Sequence, residues 1–330
     1  MPVKHLRDLR RAFYWRVRQL WGSLWNHFSL ALLNIRAARS KTRFAITHSY
    51  GRTGNNIQQV LIAIAHAEAF RGVLDVERDS LIDGRLVDLI NSFSLDFSPG
   101  LPVNNSFQSN FFHYTEYSFC QKDISRAAFK RGILPRRECL LSRAYIERNL
   151  WRIAQAYVLP ALIVPEVNIR VEDRLVIHLR SGDVASLSHD YYGTNPLCFY
   201  RQLAKLYDDV VFVMEPGHRH VLLESLVALF KRVEFISGNV QDDFTRIRYA
   251  KHLATSGVGT FPIAASLLSG CLQTLHCTDL FQMEHLNPLM LTGVDGITVD
   301  LMRLPGFQHL WINSSDRRKL LLDYEFTNSC

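Results

Sequence analysis

After residue 40 the chain alternates between two hydrophobic periods. Phe44-Ala-Ile-Thr47 reads as a short strand, and Gly51-Arg-Thr-Gly-Asn-Asn56 as a tight loop. Ile57 to Phe70 follows as a helix, with Val60, Ile64, Ala67 and Ala69 apolar. Strand, glycine loop and helix together open a wound α/β domain. Residues 91–120, rich in Asn, Ser and Phe, predict an irregular insertion, and Arg143 to Tyr157 a polar helix ahead of Pro160 and Pro165. A second series begins at Arg174. Leu175–Leu179, Val210–Met214, Val233–Ile236 and Leu253–Thr255 read as strands. Leu197–Tyr207, His220–Phe230, Asp242–His252 and Thr260–Ser269 read as the helices between and after them. Strands alternating with helices of roughly ten residues imply a parallel sheet. Two such halves facing each other would hold a ligand in the cleft at the carboxyl ends of their strands.

The first 40 residues follow a different pattern. Phe13, Val17, Leu20, Leu24 and Phe28 share one side of a helical wheel, with Lys4, Arg7, Arg11 and Arg18 opposite, and Trp15, Trp21 and Trp25 add amphipathic rings. This composition suits a helix lying in a bilayer interface with its arginines against anionic headgroups. It equally suits a helix packed on the body with its arginines in water. Leu20 to Ile35 is too short to cross a membrane and contains Asn26, His27 and Asn34. No small-residue cleavage site marks a secretory signal.

Charge sharpens this division. The net charge is +7, and residues 1–40 hold all of that excess, so the remaining 290 residues are neutral overall. A neutral body argues against nucleic acid as a partner. The 48% hydrophobic content excludes a disordered chain. Six cysteines in 330 residues are too sparse for a disulfide scaffold. Cys271 and Cys277 could pair or could both stay reduced.

Three loops carry candidate chemistry. Gly51, Arg52, Gly54 and Asn55 lie in a loop where backbone N–H groups can meet an anion at a helix N-terminus. The same loop would also serve as a plain turn. His178-Leu-Arg-Ser-Gly-Asp183 closes a buried strand, and period two puts His178 and Arg180 on one face, with Asp183 near. Arg180 could grip an anion there or merely brace Asp183. Thr255-Ser-Gly-Val-Gly-Thr-Phe261 leads into a helix and offers Gly257, Gly259 and the Thr260 hydroxyl to phosphate. Asp242 and Asp243 could cap their helix or accept hydrogen bonds from a base. No histidine–carboxylate cluster shows metal-ligand spacing, and His218-Arg-His220 reads as a solvated turn.

In this order and spacing the segments resemble the fucosyltransferase superfamily, and within it the α-1,2-fucosyltransferase branch. Its Gly-x-x-Gly-Asn motif stands as Gly51-Arg-Thr-Gly-Asn55, and His-x-Arg-x-x-Asp as His178 to Asp183. Asp242-Asp243-Phe244 matches its Asp-Asp-Leu/Phe segment, and Gly259-Thr-Phe-Pro-Ile-Ala-Ala265 its Ser/Thr-Phe block. The chain departs from the branch at Ser181, where a second arginine is usual, and at Pro262 and Ile263, where tryptophans often stand. The resemblance implies an α/β, GT-B-like fold: two Rossmann-like halves facing across a cleft, preceded by a basic amphipathic N-terminal helix. Its expected divisions are a leader at 1–40, an acceptor domain at 41–165, a nucleotide-sugar domain at 166–300, and a tail at 301–330 packing back on the body.

The resemblance also implies an inverting transfer from GDP-fucose to a glycan hydroxyl, with no metal and no cofactor beyond the GDP-sugar co-substrate. Arg180 would then stabilise the departing diphosphate, with His178 and Phe261 beside the donor and Asp243 at the purine edge. Asp183, His189, Asp190 and, more remotely, Glu116 are the candidates for the base. A lipid-linked acceptor and a cytoplasmic, peripheral membrane location through residues 1–40 complete the expectation. The alternative location is the Golgi lumen, for which Asn104-Asn-Ser106 and Asn313-Ser-Ser315 are formal glycosylation sequons. The competing functions are transfer from another nucleotide sugar and non-catalytic binding of one.

Overall fold

The computed structural model describes residues 41–46, 53–69, 71–76, 89–97, 99–100, 103–109, 143–163, 170–180, 192–215, 220–282, 285–307 and 314–325. The basic leader therefore lies outside the described residues. The chain divides into two compact units. The smaller takes most of the described residues before Trp151. The larger takes Trp151 onward together with Tyr50–Gln58 and Ile82–Asn91.

The smaller unit holds a four-stranded sheet in the order β3-β2-β1-β4. Its strands are β1 (Lys41–Ile46), β2 (Val73–Val76), β3 (Phe93–Asp96) and β4 (Val103–Ser109). β1 runs parallel to β2 and β4, and β3 is antiparallel to β2. Helix α1 (Thr53–Ala69) connects β1 to β2. It is buried on every side from Thr53 to Ala67, polar Asn56, Gln58, Gln59 and His66 included, and Ile57, Leu61, Ile64 and Ala67 are each fully buried. The expected irregular insertion at 91–120 is corrected by β3 and β4. The Asn- and Ser-rich composition of β4 hides a strand that sits at the sheet edge. Backbone pairing with β1, rather than an apolar stripe, defines it.

The larger unit is built on a six-stranded, wholly parallel sheet in the order β10-β9-β8-β5-β6-β7. Its strands are β5 (Glu172–Leu179), β6 (Asp209–Met214), β7 (Arg232–Ile236), β8 (Ala250–Ala254), β9 (Thr274–Thr278) and β10 (Thr298–Met302). The helices are α2 (Arg143–Ile153), which enters the unit, then α3 (Leu197–Ala204), α4 (Leu223–Val227), α5 (Val240–Arg248), α6 (Thr260–Leu267) and α7 (Ser315–Asp323). This is the doubly wound Rossmann order: the chain winds outward through β6 and β7, crosses back by α5 to β8, and winds outward the other way.

β5 and β6 read as continuous apolar runs because both faces of the sheet are covered. Leu175, Ile177, Leu179, Val210, Phe212 and Met214 pack with residues of α3, α4 and α7 on one face. Strand alternation turns Val176, Val211 and Val213, all buried, to the other face. There α5 packs on α6 and along β5, β6 and β8.

Other sequence expectations also shift. The helix expected over Asp242–His252 stops at Arg248, and Ala250–His252 belong to β8. The helix expected over His220–Phe230 shortens to Leu223–Val227. β9 and β10 add two strands beyond those the periodicity predicts. In the last segment Leu321 is buried against α3, and Arg317 lies 4.8 Å over the Phe307 ring.

Candidate functional site

The strand order reverses between β5 and β8, and in an open α/β sheet that crevice, outside the carboxyl ends of the strands, is where ligands bind. His178 and Arg180 stand at the end of β5, on the face that carries α5 and α6. The His178 ring lies 5.3 Å from the Phe261 ring of α6, and Phe261 lies 5.4 Å edge-on from Phe244 of α5. The backbone N–H of Arg180 donates to Ser256 Oγ, 3.0 Å away in the loop after β8. Its guanidinium carbon sits 4.4 Å over the Tyr192 ring, and Nη1 is 3.8 Å from where a Cβ on Gly259 would stand. The guanidinium is thus held at the start of α6.

Helix α6 brings no acidic residue of its own to that start, and Gly259 gives it no side-chain cap. A second helix start abuts it. A Cβ on Gly54 would come within 2.6 Å of Phe261 N and of Thr260 Oγ1, so glycine is required for the first turns of α1 and α6 to touch. Thr260 Oγ1 donates to Asn55 Oδ1 at 2.8 Å. Each helix N-terminus carries a partial positive charge. Two of them and one guanidinium therefore meet at the β5–β8 crevice, the arrangement an anion binds.

The loop ahead of α6 is fixed by its neighbours. Gly257 has φ +117°, and a Cβ there would lie 2.2 Å from Gly193 O. Thr194 bridges to Gly257, and Val258 N donates to Gly193 O at 3.0 Å. The fully buried Asn195 donates from Nδ2 to Thr255 O at 2.7 Å and accepts from Thr278 Oγ1 at 2.6 Å. Gly257 is therefore explained by chain packing, which sets where Gly259 and Thr260 begin.

Asp243 is buried in the first turn of α5 and accepts from Gly238 N at 3.0 Å. Burial raises its pKa to about 6, against the opposing effect of that hydrogen bond and of Arg246. His178 is pushed down to about 3, by burial first and then by Arg180 and His220, so its ring is neutral at physiological pH.

The structure gathers His178, Arg180, Gly259, Thr260, Phe261, Gly54 and Asn55 at one place, and links Asp243 to them through Phe244. Gly51, Arg52, Asp183, His189, Asp190 and Glu116 lie outside the described residues. Sequence reasoning misses Ser256, Tyr192, Asn195 and Gly238. Asn195-Pro196, a turn signal just ahead of a helix, marks one of them. His220, expected in a solvated turn, is instead 5% exposed. Among the described residues no group of His, Cys, Asp or Glu is placed to hold a metal, and no helix is long and apolar enough to cross a membrane. Cys198, Cys271 and Cys277 are free thiols.

No protein-family model matches the chain, and no curated protein matches it. Among solved structures the chain is similar to a glycosyl transferase family 9 protein from Veillonella parvula DSM 2008, at 10% identity and a TM-score of 0.33, over 80% of this chain and 86% of that one.

Proposed function

We propose that the protein is an inverting, metal-independent glycosyltransferase that moves a sugar from a nucleoside diphosphate donor, GDP-fucose by its motif resemblance, to a glycan hydroxyl. One observation carries this reading: the Arg180 guanidinium and the first turns of α1 and α6 converge at the β5–β8 switch point. In such a transfer the bond from the acceptor oxygen to the anomeric carbon forms. The bond from that carbon to the diphosphate breaks, and the hydroxyl proton passes to a base. Negative charge builds on the leaving diphosphate while the sugar becomes oxocarbenium-like. A fixed, planar guanidinium and helix N–H groups stabilise that charge without reorganising.

The base end of the donor is assigned to Asp243. One of its oxygens is committed to Gly238 N, and the other is left to accept from the N–H edge of a guanine. The proton acceptor for the sugar hydroxyl is assigned to the segment with Asp183, His189 and Asp190. The leader is assigned to an anionic membrane surface, near which each basic residue contributes about 1 kcal/mol.

A thermal-shift panel of GDP, UDP and CMP tests the reading. GDP is expected to raise the melting temperature with no divalent metal present. Stabilisation by UDP and not GDP ends the fucose assignment, and a strict manganese requirement ends the metal-free one. No response to any of the three ends the glycosyltransferase reading.

A further inference from the structure

His220 is 5% exposed and follows β6 in the chain, its carbonyl accepting from Leu223 N at 3.1 Å where α4 begins. Its Nδ1 accepts the Leu222 backbone N–H at 3.3 Å. In the neutral ring the proton therefore resides on Nε2. That Nε2–H is buried and has no hydrogen-bond partner among the described residues. Buried donors in native proteins are almost always satisfied, and one that is not points to a ligand or an ordered water. The ring stays neutral, because burial lowers its pKa to about 4. His220 also contributes, after burial and Arg180, to lowering the His178 pKa, as a neighbour of that ring would. β6 is hydrogen-bonded to β5 in register there, His178 opposite Val213 and Leu179 opposite Met214.

We infer that His220 is a ligand-contact residue of this same site, donating from Nε2 to an oxygen of the bound nucleoside diphosphate. This rests on the proposed donor site and adds a contact that none of its motifs contains. The tautomer is set by Leu222, so the ring offers one fixed donor and no charge. That suits the orientation of a nucleotide more than neutralisation of it. Arg180 and the helix starts supply the charge, and His220 supplies direction.

The test uses the full chain, GDP as the probe, and two variants. His220→Phe keeps a ring of similar size and removes both nitrogens. His220→Gln keeps an N–H donor at about the reach of Nε2. His220→Phe is expected to weaken GDP binding by roughly tenfold, the scale of one neutral hydrogen bond. His220→Gln is expected to recover most of it, which a purely structural role would not do. In the unmutated protein labelled with 15N-histidine, GDP is expected to move the His220 Nε2–H resonance downfield. An unmoved resonance overturns the contact even if His220→Phe fails to fold. Equal GDP affinity of His220→Phe and the unmutated protein overturns it and leaves the glycosyltransferase reading standing. Failure of the unmutated protein to bind any nucleoside diphosphate ends both.

Discussion

Helices α5 and α6 pack against each other and begin at the same edge of the same sheet, yet their first turns are built oppositely. α5 supplies its own anions. Asn239 caps it, with Oδ1 accepting from Asp242 N at 2.8 Å, and Asp242 and Asp243 occupy the first turn. α6 supplies none. It starts at an uncapped glycine, has no acid in its first turn, and has Arg180 laid against it and the first turn of α1 in contact with it. A helix start costs least when its free N–H groups meet a side chain, water or a ligand. At α5 the protein meets that need itself. At α6 it adds a guanidinium instead, which lowers the electrostatic cost of an anion bound there. The contrast between neighbours, more than either helix alone, supports assigning the proposed diphosphate to α6.

Arg180→Lys is the strongest way to break the contrast. It keeps the charge beside α6 and loses the fork that grips two oxygens. Turnover, read as nucleoside diphosphate release from the proposed sugar donor, is expected to fall by roughly 10²-fold or more. GDP affinity should fall much less and the melting temperature should barely change. A mutant that melts early but turns over normally per folded molecule would show that Arg180 only braces the strand end.

Gly259→Asp makes α6 resemble α5. The Gly259 backbone is extended, with φ 175°, so aspartate fits without strain, and its carboxylate would both cap α6 and pair with Arg180. Stability is expected to rise by about 0.5–1 kcal/mol. GDP affinity is expected to fall by roughly tenfold or more, since the site would hold an anion of its own. Higher stability with unchanged GDP affinity would detach the diphosphate from α6.

Asp243→Asn sharpens the other half. Because burial raises the Asp243 pKa to about 6, the folded protein holds a proton there that the unfolded chain, with its value of 3.8, releases. This carboxyl therefore favours folding at low pH, and that contribution is lost as pH rises through about 6. His66, His178 and His220 act in reverse. Burial holds them at about 4, 3 and 4, so stability is present above the unfolded value of 6.5 and is lost as pH falls toward 4. His276 is lowered by burial as well, so acidification from pH 7 to 5 should destabilise the protein, with four histidines against one carboxyl. At pH 7.5 Asp243→Asn should raise stability by about 1–3 kcal/mol and weaken GDP several-fold. Denaturant melts at both pH values, with calorimetry for GDP, check the pair of effects. Equal GDP affinity in the variant would remove Asp243 from the base site.

What the sequence reveals of this site follows its physics. β5 and β6 are legible because strands covered on both faces must be apolar throughout. β4 is not, because an edge strand pairs through its backbone and its side chains can be Asn and Ser. Arg180 and Gly259 stand out as a charge at a strand end and a glycine at a helix start. The role of Gly54 does not, because a glycine needed for a turn and one needed for a 2.6 Å approach to a helix distant in sequence look the same. Asn195 and His220 are set by contacts to Thr278 and Leu222, and no local pattern records that Asn195 is buried or that His220 leaves its Nε2–H open.

The smallest expected effect is also the control for the whole comparison. Asn239→Ala removes the side-chain cap of α5, orphaning Asp242 N, and also removes the Nδ2 donor that meets Asp242 Oδ2 at 3.0 Å. Loss of such a cap costs about 1 kcal/mol. If the N-terminus of α5 is internally satisfied and carries no diphosphate, the melting temperature should drop by a few degrees while GDP affinity stays within about twofold, since Asp243 keeps its bond to Gly238. The ratio of the two effects is what matters. A cap mutant that loses GDP binding out of proportion to its stability would mean that the start of α5 also touches the phosphates, and the division of labour between the two helices would have to be redrawn.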